Sequence, residues 1–303
     1  MISREVKKSI LVPLIFFGWF RFPLSLRELR RYLWRRDLTE EELISSLKEI
    51  PQIRSESGWL SWRGMTGDRF TSAVLAHQLW SQVKKWRGLF SYIPFIKQVY
   101  VSNTLAYDNA HSNSDIDLLI ITAAGRTWTA RLFLLLILNL LKLRVRSLKR
   151  FAKFSPEFFI SEKSLSIHNL AIEHDYYLSY WLADLVPIWP DGEHRQFRAD
   201  NSWFNQDLPL AWRSPKLKVY RYLRPSLWRR IIEKILVYQI GNQLETWAYY
   251  KQRRIIEENV KRLGVNPSVV TTRDIIKLHF NDRRSLVRDA VEQTIHDLIS
   301  KNK

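Results

Sequence analysis

The sequence predicts an α+β fold, and three observations carry the prediction. A pair of short apolar runs, around Val99–Val101 and Ile116–Thr122, flanks a polar stretch and reads as strand–turn–strand. Helix-start patterns precede this unit: Ser25 with Glu28 and Thr39 with Glu42 are both capping boxes. A long, strongly basic helical pattern follows it. With 303 residues the chain is long enough for two or three domains. At 46% hydrophobic, with 13 Trp, 12 Tyr and 15 Phe, it can bury a sizeable core. It has no cysteine, which excludes disulfides, thiolate metal sites and a cysteine nucleophile and fits a reducing cytoplasm. The net charge of +18 calls for a polyanionic partner: RNA, DNA, nucleotide phosphates or an anionic membrane surface.

In chain order, residues 1–62 form a first unit. An apolar helix spans about 5–19, and the capping boxes start helices of 26–35 and 40–49. Residues Ile53 to Trp62 alternate around a polar turn as two short strands. Three helices and a hairpin are similar to a winged helix. The third helix carries Glu40, Glu41, Glu42 and Glu49 against Lys48, the wrong sign for reading a DNA groove, so the unit is expected to be a docking module. Ile10 to Phe20 is apolar but contains Pro13 and Gly18 and lacks a following small-residue cleavage site. Neither a signal peptide nor a transmembrane segment is expected.

A second unit covers residues 63–210. It opens with a helix over 67–88, whose Trp80 and Trp86 beside Lys84, Lys85 and Arg87 read as a core face next to a solvated one. The strand–turn–strand unit follows over 95–124, with His111 in its connecting loop assigned no role. Asp115 and Asp117 lie two apart at the start of the second strand, so they project from one face. Carboxylates this close repel unless a cation lies between them, and hard oxygen ligands suit Mg²⁺. Next, Leu132 to Leu141 is too short to span a bilayer and reads as a helix covering the sheet. Arg131, which opens that helix, either meets a triphosphate or anchors the helix. Six basic residues lie between Lys142 and Lys153, and Ser155 to Ser161 reads as a third strand. A helix over Tyr176–Leu185 ends before Pro187, and Asn201 and Trp203 are read as capping and packing residues. Residues 211–303 read as helical, with 20 Lys and Arg against 9 Asp and Glu. One long helix is expected from Ser226 to Leu263, stopped by Gly264, and a last helix after Asp282. The sign imbalance marks this region as facing a polyanion.

Ser102-Asn103-Thr104, ten further residues, then Asp115-Ile116-Asp117-Leu118 resembles the signature of the DNA polymerase β-like nucleotidyltransferase superfamily. There a Gly-Ser turn precedes Asp-hydrophobic-Asp-hydrophobic. Asn103 stands where Gly is expected, but Asn tolerates positive φ, and Thr104 keeps a hydroxyl. The resemblance implies a polymerase β-like core, a small mixed sheet with helices, flanked by the winged-helix-like segment and C-terminal helices. It implies two Mg²⁺ ions on Asp115, Asp117 and a third carboxylate, which also accepts the proton of the attacking hydroxyl. Glu157 is the candidate for that carboxylate and Glu162 the alternative. Ser102, Asn103, Thr104 and Ser114 would bind the nucleotide. Over residues 10–210 the chain is also similar to bacterial proteins of this superfamily with a winged-helix-like segment before the core. That similarity rests on Pro23-Leu-Ser-Leu-Arg-Glu-Leu, Asn113 to Thr122, Phe159 to Ile167, Asp184-Leu-Val-Pro-Ile and Asn201-Ser-Trp203. The implied activity is transfer of an NMP group from an NTP to an acceptor hydroxyl, releasing pyrophosphate. The acceptor would be RNA or another polyanion, a small molecule or a protein side chain. The alternative is a catalytically inactive nucleotide- or nucleic-acid-binding regulator of the same fold. A third class is a peripheral membrane protein that uses the basic surface and the N-terminal apolar segment.

Overall fold

The computed structural model describes residues 2–65, 67–145, 151–189, 192–215, 224–263 and 267–300. The expected helix stop at Gly264 and the basic residues Arg146, Lys149 and Arg150 lie outside them. Helix α1 (Arg4–Trp19) is capped by Ser3 and precedes β1 (Leu24–Ser25). Helices α2 (Leu26–Arg31) and α3 (Glu40–Lys48) both start on complete capping boxes, Ser25/Glu28 and Thr39/Glu42. Strands β2 (Ile53–Glu56) and β3 (Trp59–Trp62) form a hairpin, and β1 joins it to give a sheet of order β1-β3-β2. Helix α2 is shorter than expected: beyond its C-cap Tyr32, the Trp34 and Arg35 N–H groups bond the Ser9 and Asp207 carbonyls instead of continuing the helix.

Helix α4 (Arg69–Trp86) leads through a 3₁₀ turn into β4 (Ile96–Val101). Then come the short α5 (Asn103–Ala106), β5 (Ile116–Thr122), α6 (Thr127–Leu140) and β6 (Phe154–Ser161). Helix α7 (Tyr176–Ala183) is followed by β7 (Val186–Trp189), α8 (Gly192–Asp200) and α9 (Pro209–Arg213). The C-terminal part comprises α10 (Leu227–Ile235), α11 (Gln239–Leu263), the hairpin β8 (Ser268–Thr271) and β9 (Ile275–His279), and α12 (Arg284–Ser300).

Six strands form one mixed sheet of order β7-β4-β5-β6-β9-β8. Only β5 and β6 pair in parallel, joined by the crossover helix α6; the other pairs are antiparallel. Leu119, Ile121, Phe158 and Ile160 point to one face, where α1, α7 and α12 cover them. Leu118, Ile120 and Phe159 point to the other, under α6 and α11. Each of these side chains is buried, which favours folding by roughly 1.5–3 kcal/mol apiece. The first apolar cluster runs from Ile10 to Leu298, across the composition-based boundaries near 62 and 210.

Three expectations are corrected. The long helix over 226–263 is broken after Ile235. Arg126 donates to the carbonyls of Leu236 and Val237, and the missing Cβ of Gly241 lets the next helix start against the Leu236 carbonyl. The C-terminal region is not wholly helical, since β-branched Val269 to Thr271 and Ile275-Ile276 pair as β8 and β9. The N-terminal apolar segment does not face a membrane: Ile10 to Phe17 are buried. Among the described residues no helix is long and apolar enough to cross a bilayer.

Candidate active site

Asp115 and Asp117 stand at the start of β5. The Asp117 carbonyl accepts the Ser102 N–H at 3.1 Å, extending the β4–β5 ladder to the turn. Asn103 has φ of 55°, in the left-handed region that the turn requires and that Asn adopts more readily than other side chains. Its amide donates to Asp117 Oδ2 at 2.8 Å. The Tyr177 hydroxyl reaches Asn103 Oδ1 at 3.5 Å, so α7, the turn and the carboxylate are linked in series. Burial, and then the nearby Asp117 charge, holds the Tyr177 phenol protonated well above its ordinary range.

Glu157 reaches the same cleft through a β-bulge. Asp117 pairs with Ser155 and Leu118 with Pro156, but Leu119 pairs with Phe158, leaving Glu157 as the extra residue. Strict alternation along a regular strand would set Glu157 opposite Phe158. The bulge cancels that alternation, so Glu157 joins the carboxylate side while Phe158 stays in the core of that face. Pro156 lacks an N–H and suits this irregularity. Ser155 Oγ donates to Glu157 Oε1 at 3.0 Å.

Asp115, Asp117 and Glu157 together line a cleft of about 400 Å³. Phe20, Asn103 and Tyr177 contribute to its lining, and residues 278–284 form the facing wall. Arg284 is fully committed there: it donates to Asp282, to Asp175 at 2.6 Å and to the Leu170 carbonyl. Burial raises the Asp282 pKa, but the Arg284 N–H and guanidinium, with Lys277, outweigh it and bring it down to about 2. Arg283 is exposed on the same wall, and its guanidinium has no hydrogen-bond or ion-pair partner among the described residues. His279 is pushed down to about 4 by burial and by the Lys277 charge, so its imidazole is neutral near pH 7.

The other predicted residues lie elsewhere. Thr104 faces a small neighbouring cavity lined by Phe16, Phe17, Phe20 and Phe22. Ser114 closes the preceding loop, its Oγ accepting the His111 N–H at 2.8 Å. Glu162 sits at the opposite end of β6, accepting the Ala124 N–H at 2.9 Å and pairing with Lys97, so of the two candidates it is Glu157 that lines the cleft. Arg131 anchors rather than facing the cleft. It is buried beneath the other face of the sheet, bonded to Gln252, and burial lowers its pKa to about 9. The N-terminus of α6 is instead capped by Glu245, which accepts the Trp128 and Thr129 N–H groups at 3.0 and 2.7 Å. His279, Tyr177 and Arg283 were not singled out from sequence, because they reach the cleft from segments that carry no motif.

Among the described residues no three His, Cys, Asp or Glu side chains form a cluster that could hold a metal ion unaided. Mg²⁺ commonly takes one or two protein carboxylates and completes its shell with substrate phosphates and water. The Asp115/Asp117 pair, all hard oxygen, fits that habit. Comparison with family models, curated proteins and solved structures finds no match to this chain.

Proposed function

We propose that the protein is a Mg²⁺-dependent nucleotidyltransferase of the polymerase β-like kind, moving a nucleoside monophosphate from a triphosphate to an acceptor hydroxyl with release of pyrophosphate. The observation that carries this reading is the convergence of a left-handed turn at Asn103 with Asp115, Asp117 and Glu157 on one cleft. A mixed sheet with a strand–turn–strand start and a parallel third strand is also what such a core needs. Asp115 and Asp117 would hold the ions, with Glu157 completing the set. Bound Mg²⁺ would neutralise charge on the attacking and leaving oxygens of an in-line displacement. Glu157 accepts the proton of the acceptor hydroxyl. Arg283, facing the carboxylates, binds phosphate oxygens through its free guanidinium. The first 62 residues act as a winged-helix-like docking module, since α3 exposes Glu40, Glu41 and Glu42.

A second reading is favoured by one contact. The Asn103 amide occupies an oxygen of Asp117 that a metal would use, which suits a protein that binds nucleotide without turning it over.

The test is transfer of α-³²P label from each of the four triphosphates, with Mg²⁺, to total RNA and total cell protein. Wild type is expected to label one acceptor class, and the Asp115→Ala/Asp117→Ala double variant none. Glu157→Gln should lower transfer by about 10²-fold or more, in the range of lost general-base catalysis, while Glu162→Gln leaves it within about twofold. Triphosphate binding without any label would establish the second reading.

A further inference from the structure

Helix α10 is mounted with its apolar side outward. Leu227, Trp228, Ile231 and Ile235 are 72%, 55%, 45% and 54% exposed, although they fall within roughly 100° of arc at 3.6 residues per turn. The inward side carries Ile232, which packs on the core beside buried Leu236, together with an ion pair. Arg229 is buried and donates to the Ile96 carbonyl at 2.7 Å and to Glu233 at 2.8 Å. Glu233 in turn accepts the Phe95 N–H at 2.7 Å. Ser226 caps the helix, and its own N–H bonds the Ser91 carbonyl, so the orientation is fixed at both ends of the contact. A helix held to the sheet by an ion pair and one isoleucine, with Leu227, Trp228, Ile231 and Ile235 in water, departs from the usual arrangement. Val237 and Tyr238 continue the apolar surface beyond the helix, at 50% and 78% exposure.

Charge indicates what covers it. Arg230 and Lys234 are exposed along one edge of the apolar arc, and the chain as a whole carries +18. An isologous contact with a second copy would bring these cations together on two chains of like charge. The combination of Leu and Ile, an aromatic residue with a polar edge, and flanking Arg and Lys matches a helix lying in the headgroup region of an anionic bilayer. We propose that α10 is a membrane-surface anchor that holds the protein reversibly on anionic lipid. The apolar arc enters the acyl boundary, Trp228 and Tyr238 sit at headgroup level, and Arg230 and Lys234 contact lipid phosphates. This inference is independent of the activity proposed above. It places the acidic-lined cleft on a membrane-bound protein whatever that cleft does.

The absence of cysteine gives a clean probe. The full chain carrying Ile231→Cys, labelled with an environment-sensitive fluorophore, is mixed with vesicles of phosphatidylcholine alone or with 30% phosphatidylglycerol, about that fraction giving a strongly negative surface. Cosedimentation of the unlabelled protein is followed in parallel, and sedimentation velocity reports its oligomeric state without lipid. Expected are a blue shift and cosedimentation with the anionic vesicles only, reversed by raised salt. Ile231→Glu/Ile235→Glu and, separately, Trp228→Ser should each weaken binding at least tenfold while circular dichroism is unchanged. Vesicle binding that these variants leave intact would overturn the proposal, as would no binding at low salt. A blue shift without lipid, in a protein that sediments as a dimer, would assign the surface to a second copy instead.

Discussion

Asn103 sets the geometry of the turn before the carboxylate cleft, and substituting it separates two forces. In Asn103→Ala a non-glycine residue without a local hydrogen bond must hold φ at 55°. That costs roughly 1–2 kcal/mol. The amide bond to Asp117 at 2.8 Å is lost as well. It is partly solvated, so about 1 kcal/mol is the fair figure rather than the larger value for a buried charged bond. The sum is about 2–3 kcal/mol. In Asn103→Gly the bond is lost but the backbone strain disappears, leaving a net change within about 1 kcal/mol. At about 2 °C per kcal/mol for a chain of this size, Ala should lower Tm by about 4–6 °C and Gly by about 2 °C or less. Thermal unfolding by circular dichroism measures both, and combining each with Asp117→Asn isolates the shared bond. Equal Tm values for the Ala and Gly variants would refute a left-handed turn at 103. Additivity with Asp117→Asn would refute the clamp.

Two further outcomes follow from buried groups. His279 is neutral in the fold, with a pKa near 4, and has an ordinary pKa of 6.5 once unfolded. Its contribution to stability is therefore complete above pH 6.5 and is lost as pH falls from 6.5 to 4, by about 3 kcal/mol in all; Tm measured across that window should fall less steeply in His279→Gln. Glu245 satisfies two buried N–H groups at the start of α6, so Glu245→Ala should destabilise by about 2–4 kcal/mol in urea unfolding and Glu245→Gln by about half as much.

The elements legible in the sequence are those whose signals are local. The Ser25/Glu28 and Thr39/Glu42 boxes begin α2 and α3 where spacing placed them. The Asp115–Thr122 alternation located β5, and the apolar run before Ser161 located β6. Signals that depend on a distant partner were lost. The helix does end before Pro187, but β7, which holds that proline, was not foreseen; it is an edge strand, where a missing N–H is tolerated. The run Val269 to Ile276 has the β-branched composition of a hairpin, but it is short and lies between longer helical patterns. Position 157 could be chosen from sequence, but its direction could not, because a bulge is a property of the strand pair and not of one strand. The facing wall, with His279 and Arg283, enters the cleft only because β9 pairs with β6.

The packing of α1 on α12 sets the timetable of biosynthesis. Ile10, Leu11, Val12 and Leu14 leave the ribosome long before Val287, Val291 and Ile295, which share their core. At about 5–20 residues per second the interval is on the order of 15–60 s. Throughout it, one side of the most apolar helix in the first unit has no permanent cover. The nascent chain is thus a natural client for chaperones that hold exposed hydrophobic helices. A product cut short before α12 would keep that surface uncovered, so the packing of the first unit waits on a helix made far downstream.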